Sequence, residues 1–345
     1  MAGEAGDEDG ERRRYVMALP TLALRHSATL VSPSAGDRLV NCSVGVDDEL
    51  EALWCAGEDW DALFGRGLDW PRKVRPGRTL RPVDVRLTIH GRRETVVRPI
   101  ESLFLAAPRV RRLPDDRILV VGNTCVWRAS GPDRNAVVYD EHGHLDAEET
   151  WGDDIFHLAV ARDGTVWVGY GSMAIWGTSN GWGDPGPAPP GWRGVIRYEP
   201  DALQPIWHYP QASAWGNIDC CYALNVAGDG TWIYYYRNFP IVRITDRGLT
   251  GWHNDQVKGA KALAVNDPYI ALYGGYTADA DVLTVGTLND DRLEILHQYR
   301  VVMPDGTPVD QPTMIGRGAT LHTVIGNDWL QLSLTDMLAR PPSLS

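Results

Sequence analysis

The sequence predicts an all-β fold of the β-propeller class with six blades, and two observations predict it. From Tyr15 almost to the C-terminus, tight turns rich in Asp and Gly separate short strands of alternating apolar residues. Two series of these turns, represented by Asp163-Gly164 and His142-Gly143, alternate along the chain. This alternation gives six units of two hairpins, repeated about every 40–50 residues, and four antiparallel strands per unit define a propeller blade. A count of five or seven blades is the alternative, because the first unit is irregular.

The clearest unit runs from Asp153 to Asp184. It predicts a strand over Ile155 to Val160, a turn at Asp163-Gly164 and a second strand over Thr165 to Tyr170. Asp-Gly between alternating hydrophobic residues is the strongest short-range signal for a hairpin. A long loop rich in Gly and Trp follows this hairpin.

The bulk composition limits the classes of partner. The net charge of −12 at pH 7 argues against a nucleic-acid backbone, because no positive field would attract phosphates. No apolar run is long enough for a membrane span, and the polar, acidic N-terminus does not have the pattern of a signal peptide. The five cysteines fit no zinc spacing. We therefore expect reduced thiols, a cytoplasmic location, no nucleic acid and no membrane.

The predicted organisation is an acidic disordered tail over residues 1–13, a single propeller domain over 14–340 and a C-terminal tail over 341–345. The run Arg14 to Ala18 is expected to supply the missing strand of the last blade. Two insertions, at about 47–81 and 171–191, are predicted between the second and third strands of their blades, on one face of the fold. Elaboration of one face of a repeat scaffold indicates the working surface.

Either a helix or a strand fits the start of the first insertion. One face of a helix would carry Leu50, Leu53, Trp54, Trp60 and Phe64. The alternation of Leu50, Ala52 and Trp54 equally fits a strand. The second insertion, rich in Gly, Pro and Trp, predicts irregular structure.

The candidate catalytic residues lie where the blade connections enter the inner strands: Asp154, His157, Asp219 and Lys261. Carboxylates that converge there would act as an acid and base pair or bind a divalent cation such as Ca²⁺. The candidate metal ligands are Asp154, His157 and Asp219. A desolvated Lys261 would be an amine nucleophile. The alternative is that the aspartates cap turns and that His157 is a core residue.

The candidate ligand-binding residues lie on the same predicted face. Trp176, Trp182 and Trp192 in the second insertion would form a stacking platform for a sugar, an aromatic ligand or a cation. The remaining candidates are Asp153, Asp184, Asn217, Tyr236, Arg237 and Tyr276. Burial of aromatic residues between blades is the competing explanation for a chain with 14 Trp and 4 Phe.

Several segments carry a family resemblance. Hairpins such as ARDGTVWVGY resemble the blades of bacterial six-bladed propellers of the gluconolactonase and strictosidine-synthase type. The stretches WGDPGPAPPGWRGVIRY, DCCYALNV and YYYRNFPIVRI look like segments of uncharacterised bacterial propeller proteins. The gluconolactonase resemblance implies a divalent metal held in the central channel by acidic and amide side chains.

These observations give two main functional hypotheses. The first is a small-molecule site at the channel mouth, with binding alone or hydrolase- or lyase-type chemistry, assisted by a metal or not. The alternative is a non-catalytic propeller that binds a protein partner. The third functional hypothesis is a structural or sensory module.

Overall fold

A computed structural model describes residues 4–64, 77–91, 94–177, 180–199, 201, 203–310 and 312–339, with side chains from Gly10 onward. The helices are α1 (Glu4–Ala18), α2 (Trp60–Phe64), α3 (Ser172–Trp176) and α4 (Leu334–Ala339). Turns of 3₁₀ type cover Gly57–Asp59, Pro190–Arg193 and Thr277–Asp279.

The first fourteen strands in chain order are β1 (Thr21–Ala23), β2 (Arg25–Thr29), β3 (Arg38–Val44), β4 (Leu50–Cys55), β5 (Arg78–His90), β6 (Thr95–Leu105), β7 (Pro108–Arg112), β8 (Ile118–Gly122), β9 (Trp127–Arg128), β10 (Gly131–Pro132), β11 (Ala136–Tyr139), β12 (Leu145–Glu149), β13 (Ile155–Val160) and β14 (Val166–Tyr170). The remaining strands are β15 (Val195–Tyr198), β16 (Pro205–His208), β17 (Cys220–Ala227), β18 (Gly230–Tyr236), β19 (Ile241–Thr245), β20 (Gly248–Trp252), β21 (Ala262–Asn266), β22 (Tyr269–Tyr273), β23 (Val282–Asn289), β24 (Arg292–Val302), β25 (Ile315–Arg317), β26 (Thr320–Ile325) and β27 (Asp328–Ser333).

In the described residues these strands form six sheets of four or five strands, and a two-stranded ribbon joins β9 and β10. The regular sheets have the orders β3-β4-β5-β6, β7-β8-β11-β12, β13-β14-β15-β16 and β17-β18-β19-β20. Four-stranded antiparallel meanders of this kind are propeller blades. The predicted class, an all-β six-bladed propeller, is confirmed.

The chain divides into two compact units where the sequence predicts one domain. Unit 1 comprises residues 1–29 and 222–345, and unit 2 comprises residues 30–221. Within the described residues no helix is both long enough and apolar enough to cross a membrane.

The sheet β13–β16 shows how the alternating pattern builds unit 2. Leu158 lies opposite Val168 and Val160 opposite Val166, and all four side chains are buried. They join a core in which the rings of Trp151 and Tyr198 stack with centroids 4.1 Å apart. Because alternate residues of a strand face the same side, the alternating apolar residues of neighbouring strands together form one apolar face of the sheet.

The last blade of unit 1 is completed by an N-terminal strand, but not by the predicted segment. Strand β2 pairs antiparallel with β27 and gives the order β2-β27-β26-β25. The preceding strand β1 pairs in parallel with β24. The run Arg14 to Ala18 instead forms the end of α1. N-terminal pairing protects edges that would otherwise be open.

Helix α1 occupies most of the tail that the sequence predicts to be disordered. Its second half is held by unit 1: Arg12 forms an ion pair with Asp279 at 2.8 Å, Tyr15 donates a hydrogen bond to Gln298, and Val16 is buried. These contacts come from residues far along the chain, and the local composition therefore does not reveal them. The predicted tail at 341–345 lies outside the described residues.

Both insertions lie between the second and third strands of their sheets in unit 2. The first follows β4 and contains α2. The prediction of a strand is therefore correct for Leu50–Cys55, and the prediction of a helix is correct for Trp60–Phe64. Its residues 65–76 lie outside the described residues. The second follows β14 and contains the short helix α3.

Candidate functional site

The second insertion is fastened to the neighbouring blade by side chains that the sequence assigns to ligand binding. Asp153 is buried and accepts hydrogen bonds from the Cys125 amide at 3.0 Å and the Asn180 side chain at 2.5 Å. Trp182 is buried and donates its indole hydrogen to the Cys125 carbonyl at 2.7 Å. Asp153 and Trp182 therefore hold the insertion in place, and their contact with a ligand stays a prediction.

Asp154 has a similar anchoring role. It is buried and adopts a left-handed conformation with a φ of 54°. Its carboxylate accepts a hydrogen bond from the Met173 amide at 3.0 Å, and its carbonyl accepts one from the Gly171 amide at 2.8 Å. Burial lowers the pKa of the nearby Arg109, while the charge of Asp154 opposes that shift. The predicted catalytic carboxylate thus fixes the first turn of α3.

The other polar candidates of unit 2 differ in their exposure. His157 is half-buried in β13 opposite Gly169, and Asp219 is half-buried directly before β17. Asn217 and Asp184 are exposed on loops. Within the part of the chain that the structure describes, no three His, Cys, Asp or Glu side chains form a group that would hold a metal ion. The predicted trio Asp154, His157 and Asp219 therefore does not form a metal site of that kind.

The remaining tryptophans of the second insertion differ in their environment. Trp176, at the end of α3, is 61% exposed. Trp192 is 40% exposed, and the guanidinium carbon of Arg193 lies 3.9 Å from its ring centroid. Trp182, in contrast, is buried, so a platform of all three tryptophans stays a prediction.

In unit 1 the structure brings predicted residues together. We define the tyrosine patch as Tyr222, Tyr236, Phe239, Lys261 and Tyr276. The hydroxyls of Tyr222 and Tyr276 are 2.8 Å apart, and the Tyr222 ring stacks on Tyr236 with centroids 6.3 Å apart. The ammonium of Lys261 lies 4.4 Å from the centroid of the Tyr222 ring. Tyr236 and Tyr276 stay 39% and 41% exposed, so the cluster opens to solvent.

Glycines permit this close assembly. A Cβ atom on Gly259 would lie 2.9 Å from the ring of Tyr276, and Gly259 has a φ of +79°. Gly274 also has a positive φ, of +87°, and a Cβ there would lie in ordinary van der Waals contact with the Lys261 side chain, at 3.4 Å. The backbone amide of Lys261 donates to the Tyr273 carbonyl at 2.7 Å, which fixes the segment beside the tyrosine loop. Only glycine adopts these conformations without strain and permits this close approach.

The loops that carry the tyrosine patch are strained. Asn238, Phe239 and Thr277 all have positive φ values, of 65°, 53° and 46°. Each non-glycine residue in this region costs of order 1–3 kcal/mol, and such residues cluster at functional sites. The buried Asn254 stabilises the arrangement, because its amide donates to the carbonyls of Phe239 and Val257 at 3.0 and 2.8 Å.

Sequence reasoning identified four residues of this region and missed its support. Tyr236, Tyr276, Lys261 and the exposed Arg237 are sequence candidates. Phe239 and Asn254 were not singled out, although the segment YYYRNFP combines an aromatic run with Asn and Pro, which favour a turn. Because neighbouring residues of a strand face opposite sides, the sequence predicts that at most part of the run Tyr234, Tyr235 and Tyr236 reaches a site. Tyr234 and Tyr235 are buried, and Tyr236 is exposed.

One family model matches part of the chain. Residues 211–322 match the model of the YxzG family. The matched segment contains the tyrosine patch and is about a third of the sequence. No functionally curated protein matches the chain.

Solved structures with a similar fold are distant in sequence. A gluconolactonase from Xanthomonas campestris is 13% identical with a TM-score of 0.42, and the match covers 90% of this chain and 98% of that one. A functionally unknown protein from Desulfotomaculum acetoxidans is 10% identical with a TM-score of 0.48, covering 86% and 83%. AztD from Citrobacter koseri is 11% identical with a TM-score of 0.42, covering 86% and 83%.

Proposed function

We propose that the protein binds a small organic anion with a flat ring at the tyrosine patch of unit 1. The observation that carries the proposal is the position of the Lys261 ammonium over the Tyr222 ring, between two half-exposed tyrosines. The rings of Tyr236 and Tyr276 offer stacking surface, and their neighbours offer positive charge.

Charge favours an anion. The exposed side chains of Lys261 and Arg237 border the patch, and the Arg237 guanidinium carbon lies 6.0 Å from the Tyr236 ring centroid. A cation beside an aromatic face attracts a carboxylate or phosphate while the rings hold the planar part of the ligand. The tyrosine hydroxyls add directional hydrogen bonds that fix its orientation.

The strained loops support a binding role. The left-handed conformations of Phe239 and Thr277 are unfavourable for folding, so contacts with the rest of unit 1 must hold these residues in place. Such preorganisation lowers the entropy that a ligand would otherwise lose in ordering its site. Hydrolase- or lyase-type turnover of the bound molecule stays a prediction.

The remaining expectations about the cellular setting are part of this proposal. Cys42, Cys55 and Cys125 are free thiols, which supports a reducing compartment such as the cytoplasm. The acidic net charge supports a ligand that is neither a nucleic acid nor a membrane surface.

The test is a titration of the purified full chain with 4-hydroxybenzoate and with phenyl phosphate, followed by calorimetry. Lys261→Met is expected to weaken binding about tenfold, the loss expected for one hydrogen bond between the ammonium and the anion. The matched control is Lys258→Met, which removes another exposed lysine three residues earlier. The proposal fails if neither anion binds or if both variants lose affinity equally. Mass analysis of each anion after incubation reports turnover.

A protein-binding surface is the second candidate, and the exposed Tyr236, Tyr276 and Arg237 favour it. Tyr and Arg are enriched in protein interfaces. This function predicts that a folded partner is retained by the wild-type chain and lost with Tyr276→Ala, in the absence of small-anion binding.

A further inference from the structure

Unit 2 contains a cavity of about 340 Å³ beside the second insertion. We call it the tryptophan–proline pocket and define it by Trp192, Pro189, Pro190, Glu149, Gln204 and His208, which line it. Cavities that hold small ligands measure about 300–1,000 Å³. It contains none of the residues of the tyrosine patch, so it is an independent candidate site.

The floor of the pocket is apolar and rigid. Ile196, Tyr198 and Leu203 line it and are buried. Tyr198 stacks on Trp151, whose indole donates to the Leu203 carbonyl at 3.0 Å. A fixed floor beneath an exposed indole is a suitable surface for a ligand with an apolar face.

Trp192 presents one side of its indole. Arg193 covers the ring with its guanidinium carbon 3.9 Å from the centroid, and 40% of Trp192 remains exposed. A cationic ligand would be repelled by this guanidinium. An uncharged ligand that stacks C–H groups on the electron-rich face meets no such repulsion.

The polar lining suits hydroxyl groups. The Glu149 carboxylate is already neutralised by an ion pair with Arg134 and accepts the Thr150 amide at 2.8 Å. Its second oxygen receives the Gln204 amide at a long 3.3 Å. Burial and the charge of Arg193 lower the pKa of His208, so its imidazole is neutral at pH 7 and can both donate and accept. Among the described residues that line the pocket there is no lysine or arginine, and the Glu149 carboxylate in the lining disfavours an anion.

We propose that the tryptophan–proline pocket binds a small uncharged saccharide, whose ring stacks on Trp192 and whose hydroxyls bond to Glu149, Gln204 and His208. An apolar ring face together with many donors and acceptors matches this combination of an indole, a carboxylate, an amide and an imidazole.

The experiment is a screen of the full chain against an array of neutral mono- and disaccharides, with calorimetric titration of each hit. Trp192→Ala is expected to reduce affinity at least tenfold. Trp176→Ala is the matched control, because it removes another exposed tryptophan from the same insertion, outside the pocket lining. Lys261→Met should leave saccharide binding unchanged, which separates this proposal from the tyrosine patch.

Binding of a neutral saccharide that Trp192→Ala abolishes and Trp176→Ala preserves would support the proposal. No hit on the array would overturn it, and so would equal affinity of the Trp192→Ala variant and the wild type. Binding of an alkyl ammonium ion such as choline, in place of any saccharide, would also overturn it.

Discussion

The region around the second insertion of unit 2 and the tyrosine patch of unit 1 both carry predicted site residues, yet these side chains have different environments. Asp153 and Asp154, directly before β13, and Trp182, within the insertion, are buried and bonded to backbone groups. In the patch, Tyr236 and Tyr276 stay about two-fifths exposed. Polar and aromatic candidate residues thus serve as anchors in one region and as an accessible surface in the other.

The difference teaches that the partner of each polar group decides its role. A carboxylate that is buried against backbone amides, as in Asp153 and Asp154, presents little surface to a ligand. The Lys261 side chain, in contrast, lies beside the Tyr222 ring and is exposed to solvent. The following predictions test this contrast, from the largest effect to the smallest.

The largest expected effect is on the anchor of the insertion. Trp182→Ala removes a buried indole and its hydrogen bond to Cys125, and should lower the free energy of unfolding by about 3–5 kcal/mol. Trp176→Ala, in the same insertion but exposed, should change it by less than about 0.5 kcal/mol. Urea unfolding of the two variants provides the comparison. Equal losses would show that Trp182 is not a special anchor.

A fall in pH should change the stability of the two units in opposite directions, through His322 in unit 1 and Glu51 in unit 2. Burial, with a smaller effect from Arg317, lowers the pKa of His322 in unit 1 from 6.5 to about 4. The unfolded chain therefore takes up a proton in this range that the folded chain does not, and unit 1 loses about 3 kcal/mol as the pH falls through it. In unit 2, burial raises the pKa of Glu51 above 4.5, so its contribution to stability is present at low pH and is lost as the pH rises through that raised pKa.

Hydrogen exchange of backbone amides, corrected for intrinsic pH effects, measures both trends. Strand β26 should lose protection between pH 6.5 and pH 4.5, and His322→Gln should remove that loss. Glu51→Gln should flatten the opposite trend in β4. An unchanged acid response in the His322→Gln variant would refute the assignment for unit 1.

A smaller effect is expected at Asp154. Asp154→Ala leaves the Met173 amide without its acceptor and places alanine in a left-handed conformation, so we expect a loss of about 2 kcal/mol. Asp154→Asn keeps an acceptor and tolerates that conformation, so its loss should be less than half as large. Thermal unfolding compares the pair. If both variants are as stable as the wild type, Asp154 is not an anchor and the catalytic hypothesis gains support.

The smallest effect on stability is expected in the tyrosine patch. Lys261→Met removes an exposed charge and should change the free energy of unfolding by less than about 0.5 kcal/mol, although it weakens anion binding. The same urea titration measures this difference. A loss above about 2 kcal/mol would mean that Lys261 is structural, as Asp154 is.

The sequence by itself determined the local structure of the blades. The turns at Asp163-Gly164 and His142-Gly143 join β13 to β14 and β11 to β12 as predicted, because hairpin pairing depends on a few neighbouring residues. Alternation places Tyr234 and Tyr236 on one face of β18, but the burial of Tyr234 and the exposure of Tyr236 depend on their neighbours in the fold. Local patterns were enough for the hairpins and for the alternation.

Only the tertiary structure decided which candidates are accessible. Asp154 and Lys261 are equally plausible in the sequence, yet contacts with Met173 bury the first, whereas Lys261 packs beside Tyr222 and stays open to solvent. The N-terminal helix is another case, since it depends on Asp279 and Gln298, which lie more than 260 residues away. Burial and long-range partners arise from packing between distant segments, and that packing sets the role of each side chain.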